Sequence, residues 1–181
     1  ADLIGSLKMD QFIKENPERF FQIGIAEANM MGIAAGLTIG GKIPFAGTFA
    51  NFATGRVYDQ IRQSIAYSGK NVKIAASHAG LTLGEDGATH HGAFDLSFLN
   101  SIPNLQILAP MDAAELRGML AYAFGQSAPV VIRFPRGGEE NTTFEERKIE
   151  KASFERIQKG EKITVVSLGT IGQEVAEAVK D

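Results

Sequence analysis

In the stretch Gly24-Ile-Ala-Glu-Ala-Asn-Met-Met-Gly-Ile-Ala-Ala-Gly36 one carboxylate, Glu27, stands with apolar neighbours on both sides. An acid in the first turn of a helix complements the macrodipole by only ~0.3–1 kcal/mol, and that modest role is enough for a structural residue. A carboxyl group in apolar surroundings is also one that can hold or share a proton, because burial disfavours its charged form. Downstream come two aromatics three apart, Phe49 and Phe52, for which ordinary core packing is the commoner use. Then follow Ser77-His78-Ala79-Gly80, Gly84-Glu85-Asp86-Gly87-Ala88-Thr89-His90-His91 and the arginines Arg133 and Arg136. Imidazole is the side chain best suited to moving protons near neutral pH. His78, His90 and His91 do not have the spacing of a zinc site, and neither a cysteine nor a paired acid completes one, so no metal ligand is expected in this chain.

The elements that must position these groups alternate in type. The spacing of Leu7, Phe12 and Ile13 predicts a helix over 6–15, ended by Asn16-Pro17 because the residue before proline avoids the helical region. A strand over 20–24 leads into the Glu27 helix of about 26–39, which Gly40-Gly41 stops. A strand at 43–46, a loop through Thr48–Phe52, a helix at 58–66 and a strand at 72–76 come next. After the glycine-rich loop 77–92, a helix at 93–100 and a strand at 105–109 reach Pro110. Asp112 is placed to N-cap a helix over 113–124, and a fifth strand spans 130–133. Strands alternating with helices imply an α/β fold, three layers αβα, with a mostly parallel sheet covered on both faces. Ligands of such sheets lie beyond the carboxyl ends of the strands, so Glu27, Phe49, Phe52, His78, Asp86, His90, Arg133 and Arg136 should converge on one rim.

That domain occupies residues 1–137. The polar and charged stretch 138–162 reads as a linker with a short strand or two, and Ile163–Leu168 followed by a helix at 174–180 reads as the incomplete start of a second α/β domain. The chain is therefore expected to be a fragment or a subunit. Its net charge of -3, with Lys and Arg scattered, lacks the basic footprint of a nucleic-acid binder. Without cysteine there is no disulfide, thiolate nucleophile or Cys-ligated cluster. No run of ~18 apolar residues offers a membrane span and no signal peptide opens the sequence, so a cytoplasmic location is expected. Asn141-Thr142-Thr143 matches a glycosylation sequon and reads as a chance match in a polar loop. Gly-x-Gly-x-x-Gly does not follow the first strand, which argues against a dinucleotide-binding module.

The stretches GIAEANMMGIAAGL, IPFAGTFANFATGRVYDQIR and SHAGLTLGEDGATHH, in this order, resemble the central pyrimidine-binding domain of transketolase, with the likeness running from about Ala1 through Arg136. THHGAFDLSFLNSIPN and VIRFPRG are similar instead to 1-deoxyxylulose-5-phosphate synthase, a related thiamine-diphosphate enzyme, whereas His78 and the GEDG run favour transketolase. The resemblance implies a thiamine-diphosphate-binding fold and transfer of a two-carbon ketol unit between sugar phosphates, in the pentose phosphate pathway. It implies that Glu27 bonds a ring nitrogen of the aminopyrimidine, that Phe49 and Phe52 stack on or enclose that ring, and that Asp2 lies near the cofactor. His78 and His90 match positions that contact the sugar and act in catalysis, and Asp86 one that reads a substrate hydroxyl. Arg136, a bidentate guanidinium, and Ser6 match positions that hold the substrate phosphate. Arg56 could serve in a synthase-like variant or be a solvated arginine at a helix start. Because no Gly-Asp-Gly is present, Mg²⁺ and the diphosphate are expected on a partner domain or subunit. The assembly implied is a homodimer or heterotetramer. A pairing subunit that keeps the fold without the chemistry is the alternative from another class.

Overall fold

The computed structural model describes residues 1–137, 145, 148–151 and 155–180. Its four strands are β1 (Phe45–Phe49), β2 (Lys73–Ser77), β3 (Gln106–Leu108) and β4 (Val130–Arg133), paired in the order β1-β2-β4-β3 with every pair parallel. Parallel neighbours need long crossovers. Here a π-helix (Gln60–Tyr67) links β1 to β2, α3 (Asp95–Asn100) links β2 to β3 and α4 (Ala113–Gly125) links β3 to β4, while α1 (Asp10–Glu15) and α2 (Glu27–Ile39) precede the sheet and α5 (Ile171–Ala178) follows it.

Successive residues of a strand face opposite sides of its sheet. In β4, Val131 joins the cluster formed with Met30, Met31 and Ala34 of α2 and Ile61 and Ile65 of the π-helix. Its neighbours Val130 and Ile132 join Ala123, Leu116 and Leu120 of α4 on the other side. Both faces are thus buried, which is why the strands read as apolar runs without polar alternation, and the three-layer parallel arrangement expected from the sequence is present. The start of α4 is fixed reciprocally. Asp112 Oδ1 accepts from the Glu115 amide at 2.8 Å, and Glu115 Oε2 accepts from the Met111 amide at 2.6 Å.

Several expectations need correction. Residues 20–24 do not form a strand. Gly24 turns at φ 76°, its amide bonds the Gln22 side chain at 3.0 Å, and Phe21 is exposed, so the aromatic run finds no ladder partner. Among the described residues the sheet has four strands and not five. β1 begins two residues later than expected and takes in Thr48 and Phe49, because Pro44 has no amide to donate and instead its carbonyl receives the Lys73 amide at 2.9 Å. Helix 6–15 shrinks to α1, with turns before it. Residues 163–168 form no strand and pair with none among the described residues, and Ile163, Val165, Val166 and Leu168 are exposed; a strand without a neighbour has no ladder to stabilise it. The expected strand or two of the linker is not seen in its described residues, and the sequon at Asn141 lies outside the described residues.

Two buried charges tie the layers together. Asp95 at the start of α3 bonds Arg133 at the end of β4, Oδ2 to Nε at 2.6 Å, and only 2% of the Asp95 side chain is exposed. Breaking such a pair leaves an uncompensated buried charge, worth about 3–5 kcal/mol. Lys73, with no exposed surface, donates from Nζ to the carbonyls of Gln126 and Ala128 at 2.9 and 2.8 Å, just past the end of α4.

Burial lowers the Lys73 pKa from 10.5 to about 8. Below pH 8 folded and unfolded chains both carry the ammonium, and the burial penalty stands in full. Between about 8 and 10.5 the unfolded chain holds a proton that the folded one has lost, so stability rises with pH. In urea titrations the wild-type chain should therefore gain stability relative to Lys73→Met across that interval. A difference independent of pH would show that the folded state keeps the proton.

Candidate active site

β1 and β2 pair with Phe49 opposite Ser77, so the two strands end level. The ladder continues for one more bond, Ala50 amide to Ser77 carbonyl at 2.6 Å. Immediately after it, His78 adopts a left-handed backbone at φ 53°, which sets its ring against Phe49 at a centroid distance of 4.2 Å. The turn after β1 brings Phe52 back beside Phe49, with ring centroids 5.8 Å apart, and Leu83 and Leu3 close the cluster. His90 meets Phe52 edge-on at 5.2 Å.

Glu27 opens α2 and is buried to 4% exposure. It is not isolated. Arg56 Nη1 reaches Glu27 Oε1 at 3.1 Å while the guanidinium carbon lies 4.0 Å over the centre of the Phe52 ring. One arginine thus joins the carboxylate to the aromatic pair, and only Oε1 of Glu27 is engaged among the described residues. Sequence reasoning had assigned Arg56 either to a substrate role or to solvent. Its pairing joins side chains 29 positions apart, a separation for which no local pattern gives a signal.

His78 is also tied to its own neighbour, Nδ1 to Ser77 Oγ at 3.0 Å. Burial holds the imidazole below its ordinary pKa; the Arg136 guanidinium pushes the same way and Asp86 opposes both. Arg136 is exposed, donates its amide to Thr82 Oγ1 at 3.0 Å and faces Glu85 at 3.5 Å. The Glu85 carboxyl is held below its ordinary value by its own backbone amide and then by Arg136. Such an exposed pair contributes little, which leaves the guanidinium free to exchange partners.

Of the expected residues, Glu27, Phe49, Phe52, His78 and His90 form one contiguous group, with Glu27 joined through Arg56; Arg136 is bonded through its amide to Thr82, next to Leu83 of the aromatic cluster, and Asp86 lies on the same loop. Asp2 and Ser6 are exposed; Asp2 accepts from Gln22 at 3.1 Å, and only Leu3 between them packs on the aromatic cluster. Arg133, expected on the rim, is committed to Asp95. His91 turns away to the Gly84 carbonyl at 3.1 Å, and no three His, Asp or Glu side chains converge as a metal site among the described residues. Ser77 and the Arg133–Asp95 pair were not singled out by sequence reasoning; a serine before a histidine is too common a pair to draw notice. Two cavities of about 390 and 160 Å³ are lined by other residues, including Leu168, Met111 and Thr170.

A carboxylate acceptor beside an aromatic face, roofed by histidine, fits an aminopyrimidine ring.

The family model described as "Transketolase, pyrimidine binding domain" matches residues 1–139. The chain is 42% identical over 187 residues to the "Putative transketolase C-terminal section" of Methanocaldococcus jannaschii, covering 99% of this chain and 57% of that protein. It is 39% identical over 166 residues to 1-deoxy-D-xylulose-5-phosphate synthase of Clostridium perfringens, covering 91% of this chain and 26% of that enzyme. Among solved structures, a split-gene transketolase described as an inactive beta4 tetramer superposes with a TM-score of 0.86 at 42% identity, covering 99% of this chain and 58% of that one. The chain thus spans from about a quarter to somewhat over half the length of these relatives. With the sheet order, the buried glutamate and the paired rings in place, the match over residues 1–139 establishes that this chain belongs to the family of transketolase pyrimidine-binding domains.

Proposed function

We propose that this chain is the pyrimidine-binding part of a transketolase, acting either within a longer polypeptide or as one subunit of a split enzyme. The reaction is transfer of a two-carbon ketol unit from a ketose phosphate to an aldose phosphate, a cytoplasmic step of the pentose phosphate pathway. The observation that carries this reading is the Glu27 carboxylate, buried at the head of α2 and linked through Arg56 to the Phe52 ring, with one oxygen paired and the other without a hydrogen bond among the described residues. Thiamine diphosphate, when bound, supplies the carbon nucleophile and the electron sink.

Glu27 Oε2 is the acceptor for the protonated ring nitrogen of the pyrimidine, and the proton it holds there is the one the chemistry needs moved. Phe52 offers the stacking face. Phe49 has Phe52 on one side and His78 on the other, so it backs the pocket, whereas Phe52 meets His90 only edge-on and its ring face is covered by the half-exposed Arg56, which can swing aside. His78 and His90 bracket the aromatic pair and are the groups to bond and deprotonate sugar hydroxyls. Asp86 reads a further hydroxyl, Arg136 holds the phosphate after releasing Glu85, and Asp2 and Ser6 complete the cofactor and phosphate edges once the opposing surface is docked. Magnesium and the diphosphate fall to a partner domain or subunit, in a homodimer or a heterotetramer. That the split-gene relative is described as inactive when assembled from one kind of subunit supports this division.

A second reading, 1-deoxy-D-xylulose-5-phosphate synthase, is favoured by the 39% identity to the Clostridium perfringens enzyme. The experiment is reconstitution with a diphosphate-binding half, thiamine diphosphate and Mg²⁺, assaying xylulose 5-phosphate with ribose 5-phosphate beside pyruvate with glyceraldehyde 3-phosphate. Turnover of the sugar pair is expected, with Glu27→Gln lowering it by a factor of roughly 10² or more, the usual range for a group that moves a proton. Turnover of the pyruvate pair alone would establish the synthase. Association of the halves without turnover of either pair would mark the chain as a non-catalytic subunit.

A further inference from the structure

The hydrogen bonds around His78 specify more than its position. Ser77 Oγ lies 3.3 Å from the Thr48 carbonyl and 3.0 Å from His78 Nδ1, and both residues are buried, Ser77 to 2% exposure and His78 to 7%. The hydroxyl has one proton and the carbonyl can only accept. If the serine donates to Thr48, its lone pair is met by an Nδ1–H of the histidine and both contacts are hydrogen bonds. If the serine donates to Nδ1 instead, the 3.3 Å contact sets two oxygen lone pairs against each other and one bond is lost. Water offers little compensation at this burial, so the first arrangement wins by a whole hydrogen bond.

Burial, and after it Arg136, hold the His78 imidazole below its ordinary pKa and so favour its neutral form, with Asp86 opposing. A neutral ring with its proton on Nδ1 has a bare lone pair on Nε2. No partner occupies Nε2 among the described residues.

We propose that Ser77 is a positioning residue which, through its bond to the Thr48 carbonyl, holds His78 as the Nδ1–H tautomer and so makes Nε2 a hydrogen-bond acceptor towards a substrate hydroxyl. The tautomer stands on the geometry alone; its use towards a sugar hydroxyl rests on the reaction proposed above. Ser77 touches no reacting atom. Its effect passes through the histidine.

The test is long-range proton–nitrogen correlation NMR of the ¹⁵N-labelled 181-residue chain, at a pH above the ordinary imidazole range. The three histidines are distinguished with His90→Gln and His91→Gln. In the wild type, Nδ1 of His78 should give the resonance of a protonated nitrogen and Nε2 that of a bare one. Ser77→Ala should move the pattern towards Nε2–H, and Ser77→Thr, which keeps the hydroxyl, should restore it. A wild-type His78 protonated on Nε2 overturns the proposal, as does an unchanged pattern in Ser77→Ala. Should Ser77→Ala not fold, the wild-type and Ser77→Thr spectra still decide. In the reconstituted enzyme Ser77→Ala should lose about five- to tenfold in turnover, the equivalent of one neutral hydrogen bond, with Ser77→Thr close to wild type. The spectra need neither cofactor nor partner, so a chain without transketolase activity would refute the proposed reaction and leave the tautomer assignment standing.

Discussion

The level pairing of β1 with β2 is the constraint on which the candidate site depends. With Phe49 opposite Ser77, the chain leaves both strands at the same height, and the next residues on each side meet. A slip of one residue would turn every side chain of β1 to the other face, since the period of a strand is two. Phe49 would then leave His78, and the buried Thr48 would take the place of an aromatic. The register is fixed at both ends of the strand. At the lower end the Pro44 carbonyl receives the Lys73 amide, and at the upper end the Ala50 amide reaches the Ser77 carbonyl.

The second determinant is the treatment of charge. A carboxylate buried at the head of α2 needs a partner, and Arg56 supplies one while stacking on Phe52. Guanidinium is suited to this double role because it is planar, always charged and only weakly hydrated. Two further charges, Asp95 with Arg133 and Lys73 with the carbonyls beyond α4, are used to join layers of the fold and not to face a ligand. The buried charges thus divide into a set that ties sheet to helices and a set, Glu27 with Arg56, that opens onto the rim.

How far the sequence discloses this depends on whether a feature is local. The helix containing Glu27, the Asp112 cap, strands β2 and β4 and the alternation that implies a parallel sheet all follow from residues within a few positions of one another. What failed was what depends on a distant neighbour. The runs at 20–24 and 163–168 have strand-like composition, but composition cannot say whether another strand lies alongside. The site is legible in the same measure. Its members sit just past predicted strands, so their convergence could be foreseen. Arg133 was foreseen on the rim and Arg56 left undecided between substrate and solvent, because their acids lie 38 and 29 residues away. Ser77 escaped notice because its importance comes from Thr48 on another strand.

His78 shows why the loop after β2 is clamped so firmly. A non-glycine residue in the left-handed region costs on the order of 1–2 kcal/mol, which a loop free to relax would recover. Relaxation is opposed on each side. The Ala79 amide bonds the Phe134 carbonyl at 3.1 Å, and the Gly92 amide bonds Gly80 at 3.0 Å, so the excursion carrying Asp86 and His90 closes on itself directly after the strained residue. Asp95, three residues beyond Gly92, is then locked to Arg133 on β4. An added Cβ at Gly92 would come within 3.1 Å of Ala50 on the turn that carries Phe52, so the closure point also abuts the aromatic pair. Strain of this kind persists only where the surroundings over-determine it. Here the surroundings are the same contacts that hold the imidazole against Phe49, which makes the backbone conformation of His78 and the arrangement of the rim a single structural fact.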